Sequence, residues 1–183
     1  TYSAQDGISS VISSDVPRLL NSVLDAKKDK KTDMHVTISG RNLCIRVVNL
    51  PILPRDELYQ AVRSKIRKYI SSELDQIVFS FAVLGEVQEK EINKLEVVFA
   101  AIQKQLFDKY LQNFETSGFR PKIITPSFFA SWNLIRKTSL IKGADSLMVI
   151  NIEKLVTDLT VCSGGRFVFT RNISLGSKDL LDT

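Results

Sequence analysis

Strand-like and helix-like patterns follow one another between Leu43 and Thr125 in an order that restricts the fold more than any other feature of the chain. Four runs rich in apolar and β-branched residues predict strands, at Leu43–Leu50, Gln76–Val87, Leu95–Ile102 and Arg120–Thr125. A helical pattern follows the first strand, and another follows the third. This order predicts the split βαβ arrangement of a ferredoxin-like sandwich. In that fold the elements follow the order βαββαβ, and the strands form one sheet with both helices on one face.

The two helices of this segment are predicted from apolar residues at helical spacing. The first opens after Pro54, and its predicted apolar face consists of Leu58, Ala61, Val62, Ile66, Tyr69 and Ile70. The second begins near Lys104, and Gly118 supplies its C-terminal stop. Between the two long strands, the polar run Gln88–Lys94 is predicted to form a turn region.

The flanking segments add further helices and strands. Asp15 is predicted to cap a first helix, which leads through the charged loop Asp25–Asp33 into a strand at Met34–Ser39. One more helix opens at Pro126. Three strands are predicted in the tail, the last two joined by a Ser-Gly-Gly hairpin turn, at Ser146–Ile152, Leu155–Cys162 and Arg166–Ile173. The whole pattern predicts a mixed α/β protein.

The composition excludes several classes of protein. Of the 183 residues, 44 % are hydrophobic, which is enough to bury a core and argues against a disordered chain. Two cysteines cannot build a secreted disulfide scaffold, and apolar runs such as Val97–Ile102 are far shorter than the roughly 20 residues of a membrane helix. We expect a soluble protein of a reducing compartment, whose net charge of +5 raises the question of an acidic partner.

Residue types that carry enzyme chemistry are sparse. The single histidine, His35, lies in a strand-like run without a nearby cysteine, so a structural role is favoured over catalysis. Cys44 and Cys162 lie in apolar strands, where a free thiol behaves as a small hydrophobe. The carboxylates show no Asp-x-Asp or Glu-x-x-His spacing. The sequence therefore predicts no catalytic residue and no metal site.

Basic residues cluster on the helix that follows Pro54. Arg63 and Arg67 are one turn apart, and Lys65 and Lys68 flank them. RNA-binding modules combine such charge with exposed aromatic side chains or a GXXG loop, and neither accompanies this helix. A solvated face, or a contact for an acidic partner or anionic lipid through Arg63, Arg67 and Lys68, is favoured. A basic RNA-binding sandwich is kept as an alternative.

Four stretches resemble the PilM family of type IV pilus assembly proteins, which are actin-like and related to the division protein FtsA. They are His35–Pro51, Asp56–Ile70, Val98–Pro121 and Phe167–Gly176. In the first stretch, HVTISGRNLCIRVVNLP follows the family pattern of a Ser-Gly pair, a later arginine and a closing Leu-Pro. Their order and spacing extend the resemblance over nearly all of the chain.

The resemblance implies a partial actin-like fold of the ribonuclease H-like type, with an inserted subdomain called 1C. Residues 43–125 would form this βαββαβ subdomain. Residues 1–42 and a return helix at 126–144 would belong to subdomain 1A. Residues 145–183 would begin the second lobe, subdomain 2A.

The resemblance also implies a nucleotide site, but this chain departs from the family's residues there. Asn151 and Glu153 stand where the family has the Asp and Gly of a phosphate loop, and Ser177 replaces the second glycine of a pair that Gly176 opens. A glutamate would crowd and repel a phosphate where glycine lets the backbone approach. We expect a degenerate site, no cofactor and no enzymatic activity, with ATP and Mg²⁺ possible only in a complete homologue.

The implied function is that of a cytoplasmic scaffold, peripheral to the inner membrane of a bacterium. Members of the family bind the cytoplasmic tail of PilN, a single-span membrane protein, beside subdomain 1C, and help to connect the membrane platform to the pilus motor. The same partners are expected here, and no nucleic acid. Two alternatives come from the superfamily: an actin-like ATPase that polymerises, and the L-type scaffold of type II secretion.

Overall fold

The computed structural model describes residues 22, 33–40, 42–137, 146–164 and 166–181. Its strands are β1 (Met34–Ile38), β2 (Cys44–Pro51), β3 (Ile77–Glu89), β4 (Ile92–Gln103), β5 (Pro121–Pro126), β6 (Ser146–Ile152), β7 (Thr157–Ser163) and β8 (Arg166–Ile173). Its helices are α1 (Arg55–Ile66), α2 (Lys104–Thr116), α3 (Ser127–Lys137) and α4 (Ser177–Leu181). The predicted mixed α/β class is confirmed, whereas the helix predicted after Asp15 lies outside the described residues.

The chain divides into two compact units, residues 1–37 with 104–125 and residues 38–103 with 126–183. The strand pairing corrects the predicted ferredoxin-like sandwich. Strands β2, β4 and β3 form a three-stranded antiparallel sheet, but β5, the predicted fourth strand, pairs with β1 in a separate two-stranded sheet. A pattern of apolar residues locates a strand, but the partner of that strand is selected by contacts with distant segments.

The first unit holds the β1–β5 sheet and helix α2. Lys122 Nζ lies 2.5 Å from Asp33 Oδ2, and this exposed ion pair joins the two chain segments that make up the unit. The predicted end of α2 is confirmed, because Gly118 has a φ of 79° and the Phe119 N–H donates to the Phe114 carbonyl (3.1 Å). A glycine in this left-handed conformation is the usual end of a helix.

In the second unit, the central strand β4 buries side chains on both faces of the three-stranded sheet. On one face, Val97 and Phe99 pack against the buried residues of α1, which are Leu58, Val62 and Ile66. On the other face, Val98 packs against side chains of α3, β7 and β8, namely Phe128, Trp132, Cys162 and Phe167. The predicted apolar face of α1 is confirmed at its three buried residues, but Tyr69 lies beyond the helix end and is 44 % exposed.

The connection between β3 and β4 is tighter than the predicted turn region. The strands pair as far as Glu89 and Ile92, which leaves Lys90 and Glu91 as a two-residue turn with φ of 50° and 65°. Such turns favour Asn-Gly, and the sequence lacks that signal. Lys94 Nζ donates to Glu89 Oε2 (2.9 Å), and this hydrogen bond lowers the pKa of the Glu89 carboxyl.

The third sheet also belongs to the second unit and has the antiparallel order β6-β7-β8. The predicted hairpin between its last two strands is confirmed, since Ser163 pairs with Arg166 and Gly164 has a φ of 56°. Alternate residues of β7 are buried: Asp158, Thr160 and Cys162. Strand β6 exposes alternate apolar residues: Met148, Ile150 and Ile152. The sheet therefore has one buried face and one exposed apolar face.

Both cysteines are free thiols, and both lie in strands as predicted. Cys162 is 2 % exposed and belongs to the core, whereas Cys44 on β2 is only half-buried. Burial raises the pKa of each thiol, so both stay protonated near neutral pH. His35 is an exposed residue of β1.

Candidate functional site

The four residues predicted for a degenerate nucleotide site lie together where the β6–β7 loop meets the start of α4. Asn151 Nδ2 donates to Glu153 Oε1 (3.1 Å), and the Ser177 N–H donates to the Glu153 carbonyl (2.8 Å). A Cβ on Gly176 would lie 2.3 Å from the Lys154 carbonyl oxygen, so the two backbones touch at this point. Residues 151–155 and 175–179 are called the loop pair below.

The Glu153 carboxylate has hydrogen-bond donors at both of its oxygens. Asn151 serves Oε1, and the Ser39 hydroxyl, immediately after β1, donates to Oε2. Among the described residues, no lysine or arginine forms an ion pair with Glu153. A half-buried negative charge thus occupies the loop pair, and it is stabilised by neutral donors. No sequence pattern points to Ser39, because it lies 114 positions from Glu153.

The N-terminal N–H groups of α4 are already hydrogen-bonded. The Ser177 and Lys178 N–H groups donate to the carbonyls of Glu153 and Lys154, at 2.8 and 3.1 Å. The Gly176 N–H donates to Asp179 Oδ2 (2.8 Å), which is a capping interaction. A phosphate bound at a helix start needs such N–H groups free. In the loop pair, the protein itself uses them.

A buried carboxylate that the sequence analysis missed lies on the neighbouring strand. Asp158 is 8 % exposed, and its two oxygens accept hydrogen bonds from Ser127 Oγ (2.9 Å) and Asn172 Nδ2 (2.7 Å). These bonds tie β7 to α3 and β8. Every second residue of a strand points to the same face, so the apolar pattern of β7 could have indicated that Asp158 is buried. Because its oxygens are satisfied by neutral donors, the Asp158 carboxylate acts as a structural group.

The predicted basic surface is only partly free. Arg63 forms an ion pair with Asp75, which precedes β3. Arg67 and Lys68 are exposed in the turn after α1, and neither forms an ion pair with a described residue. Two cations therefore remain available for a partner, and the role of all three residues in binding stays a prediction.

The described residues contain no group of three or more histidine, cysteine, aspartate or glutamate side chains that could hold a metal ion. Within the same part of the chain, no helix is long and apolar enough to cross a membrane.

The described strands and helices make this a mixed α/β protein. The family model described as "Type IV pilus assembly protein PilM" matches residues 8–183. The chain therefore belongs to the PilM family of type IV pilus assembly proteins.

Solved structures agree with this fold. The PilM–PilN type IV pilus biogenesis complex is similar with a TM-score of 0.72 and 23 % identity over 86 % of this chain and 49 % of that one. The cytoplasmic domain of EpsL, an inner-membrane component of the type II secretion system of Vibrio cholerae, is similar with a TM-score of 0.51 and 10 % identity. The match covers 88 % of this chain and 57 % of that one. The chain thus spans about half the length of these structures.

Proposed function

We propose that this chain is a non-catalytic scaffold of the type IV pilus assembly platform, and that it binds the cytoplasmic tail of a PilN-like membrane protein. The observation that carries the proposal is the family match over residues 8–183. The similarity to a PilM in complex with PilN supports the choice of partner. In this proposal the protein is cytoplasmic and reaches the inner membrane through its partner.

The scaffold role without nucleotide turnover is supported by the chemistry of the loop pair. The Glu153 carboxylate would repel a phosphate at close range, and Ser39 and Asn151 hold it in place. The N–H groups of Ser177 and Lys178, which could otherwise bind a phosphate, are used by backbone carbonyls. Both features weaken the rival proposal of a polymerising ATPase.

Calorimetric titration with the N-terminal cytoplasmic peptide of the PilN-like protein of the same bacterium tests the partner. We expect saturable binding of this peptide and none of a scrambled peptide with the same composition. The proposal would be refuted if both peptides bound equally well or if neither peptide bound. Saturable binding of the corresponding type II secretion tail in place of the PilN-like one would identify an L-type scaffold.

The basic surface is tested in the same titration. The double substitution Arg67→Glu and Lys68→Glu should weaken tail binding if these cations contact the partner, and the double substitution Lys104→Glu and Lys109→Glu at exposed positions of α2 is the matched control. An unchanged affinity in the double variant removes the basic surface from the binding site but leaves the scaffold role intact.

Titration with ATP and Mg²⁺ tests the loop pair. We expect no heat of binding at micromolar nucleotide, with a PilM-family protein that keeps the Asp-x-Gly loop as positive control. Micromolar binding would overturn the prediction of a degenerate site, and filaments seen by electron microscopy only when ATP is present would favour the polymerising ATPase.

A further inference from the structure

A groove runs along the edges of β2 and β8 within the second unit. Its wider part has a volume of about 550 Å³ and is lined chiefly by residues 42–46, 69–72, 158 and 170–172. Its narrower part has a volume of about 340 Å³ and lies between residues 46–47 and 168–171. Arg46, Thr170 and Arg171 line both parts, so the two are continuous. We call this feature the β2–β8 groove.

The β2–β8 groove carries unbalanced positive charge. Arg46 and Arg171 line it, and neither forms an ion pair with any residue of the described part of the chain. The carboxylate in its lining, Asp158, is buried and already accepts hydrogen bonds from Ser127 and Asn172. Guanidinium groups that are not in an ion pair can bind carboxylates through paired, charge-assisted hydrogen bonds. The groove is therefore complementary to an acidic ligand.

Arg46 is held in position without any ligand. Its guanidinium carbon lies 5.5 Å from the centre of the Tyr69 ring, and its Nη1 donates to the Ile45 carbonyl (2.7 Å). Tyr69 packs in turn against Phe99, with 5.8 Å between ring centroids. An arginine stacked on an aromatic ring keeps other N–H groups for a ligand and loses little freedom on binding.

A β-bulge gives the narrow part of the groove two exposed apolar side chains. Phe169 pairs with Val161 and Phe167 pairs with Cys162, so Val168 has no partner on β7. As a result the consecutive residues Val168 and Phe169 are both exposed, by 48 % and 43 %. A regular strand would have placed them on opposite faces, and bulges commonly redirect side chains in this way. Two apolar side chains thus lie beside Arg171.

Within the described part of the chain, the strands that border the groove, β2 and β8, are both edge strands of their sheets. Edge strands bind extended peptides through main-chain hydrogen bonds. We propose that the β2–β8 groove binds an extended acidic peptide segment, with carboxylates on Arg46 and Arg171 and an apolar side chain against Val168 and Phe169. This second docking site goes beyond the scaffold role and does not depend on it.

Single-stranded nucleic acid is the other polyanion to consider, and the groove is less suited to it. Single-strand binders stack successive bases on several aromatic side chains. In the described lining of the groove, the Tyr69 ring lies under the Arg46 guanidinium, which leaves Phe169 as a single stacking platform. The apolar pair Val168 and Phe169 fits an aliphatic side chain of a peptide that alternates acidic and apolar residues.

Fluorescence polarisation at low salt tests the proposal with a short labelled peptide in which glutamate and valine alternate. The comparison peptide has glutamine in place of each glutamate. The variants are Arg46→Gln and Arg171→Gln, and the control is Arg166→Gln, which removes the same charge from the exposed start of β8, outside the groove. Circular dichroism and thermal unfolding check that each variant keeps the fold.

We expect the acidic peptide to bind and each groove variant to weaken it about tenfold, the loss typical of one charge-assisted contact. The glutamine peptide should bind more weakly by a similar factor, and Arg166→Gln should match the unchanged protein. Equal affinity for both peptides would overturn the proposal, and so would equal losses in Arg166→Gln and Arg171→Gln. Displacement of the peptide by single-stranded RNA, with RNA binding lost in the same groove variants, would assign the groove to nucleic acid instead.

Discussion

The Ser39 hydroxyl donates a hydrogen bond to the Glu153 carboxylate, and this bond joins residues 114 positions apart in the sequence. Asn151 Nδ2 donates to the other oxygen of the same carboxylate. The glutamate is therefore held by Asn151 of β6 and by Ser39, which belongs to the same unit. Glu153, Ser39 and Asn151 thus form a local polar network in the second unit.

This network predicts a loss of stability when the carboxylate is removed. Glu153→Ala leaves the half-buried Ser39 and Asn151 side chains without their shared partner, so we expect the free energy of unfolding to fall by about 1–2 kcal/mol. Urea denaturation measures the change. Glu86→Ala, an exposed glutamate on β3, is the control and should change stability by less than about 0.5 kcal/mol. Equal stability of both variants would show that the network contributes nothing.

Gly176 is predicted to tolerate no side chain. A Cβ there would lie 2.3 Å from the Lys154 carbonyl oxygen and 2.5 Å from the Leu155 nitrogen, both of which are backbone atoms. Gly176→Ala must shift one of the two loops, and we expect it to cost about 1–3 kcal/mol in thermal or urea unfolding. Ser177→Ala tests the adjacent position, where a small side chain is already present. A Gly176→Ala variant as stable as Ser177→Ala would contradict this close contact.

The β3–β4 turn is predicted to be a site where stability can be gained. Glu91 has a φ of 65°, a conformation that costs a residue with a side chain about 1–2 kcal/mol and costs glycine much less. Glycine removes this backbone strain, but its greater freedom in the unfolded chain offsets part of the gain. Glu91→Gly should therefore stabilise the protein by up to about 1 kcal/mol. Glu91→Ala keeps the strain and should give no gain. A Glu91→Gly variant that unfolds more easily than Glu91→Ala would refute the assignment of the turn.

The two thiols predict a dependence of stability on alkaline pH. Burial raises the pKa of Cys44 and Cys162 above the ordinary value of 9.0, so the unfolded chain loses these protons at lower pH than the folded chain. Their contribution is fully present below pH 9.0 and is lost as the pH rises through the folded-state pKa values.

The measurement compares unfolding free energies between about pH 8 and about pH 10, across the ordinary range of a thiol. The double variant Cys44→Ala with Cys162→Ala should lose less stability over this interval than the unchanged protein. Burial also raises the pKa of Tyr110, but this residue is present in both proteins and its effect cancels in the comparison. Parallel pH profiles would contradict the prediction.

Local patterns predicted most elements of this fold correctly, for reasons visible in particular residues. The spacing of Leu58, Val62 and Ile66 predicted the buried face of α1, and all three are buried. Gly118 predicted the end of α2, because a helix commonly ends at a glycine in the left-handed conformation. The resemblance to the family implied that Asn151, Glu153, Gly176 and Ser177 share a site; the structure brings them together in the loop pair, and their role stays a prediction.

Other features depended on contacts that no local pattern encodes. Strand β5 was predicted as a strand, but its pairing with β1 removed it from the expected sandwich. Tyr69 has the spacing of a core residue, yet it lies past the end of α1 and supports Arg46. Lys90 and Glu91 adopt a tight turn because the register of β3 and β4 requires it, although neither residue favours a positive φ.

By itself, the sequence determined the α/β class, the burial pattern of the helices and strands, and the family to which the chain belongs. These follow from the periodicity of apolar residues and from short motifs, which act over a few neighbouring positions. Only the tertiary structure decided that Ser39 donates a hydrogen bond to Glu153, that β5 pairs with β1 and not with the three-stranded sheet, and that Arg46 and Arg171 border one groove. Those relationships arise because the folded chain brings distant segments together, and sequence spacing alone does not specify which segments meet.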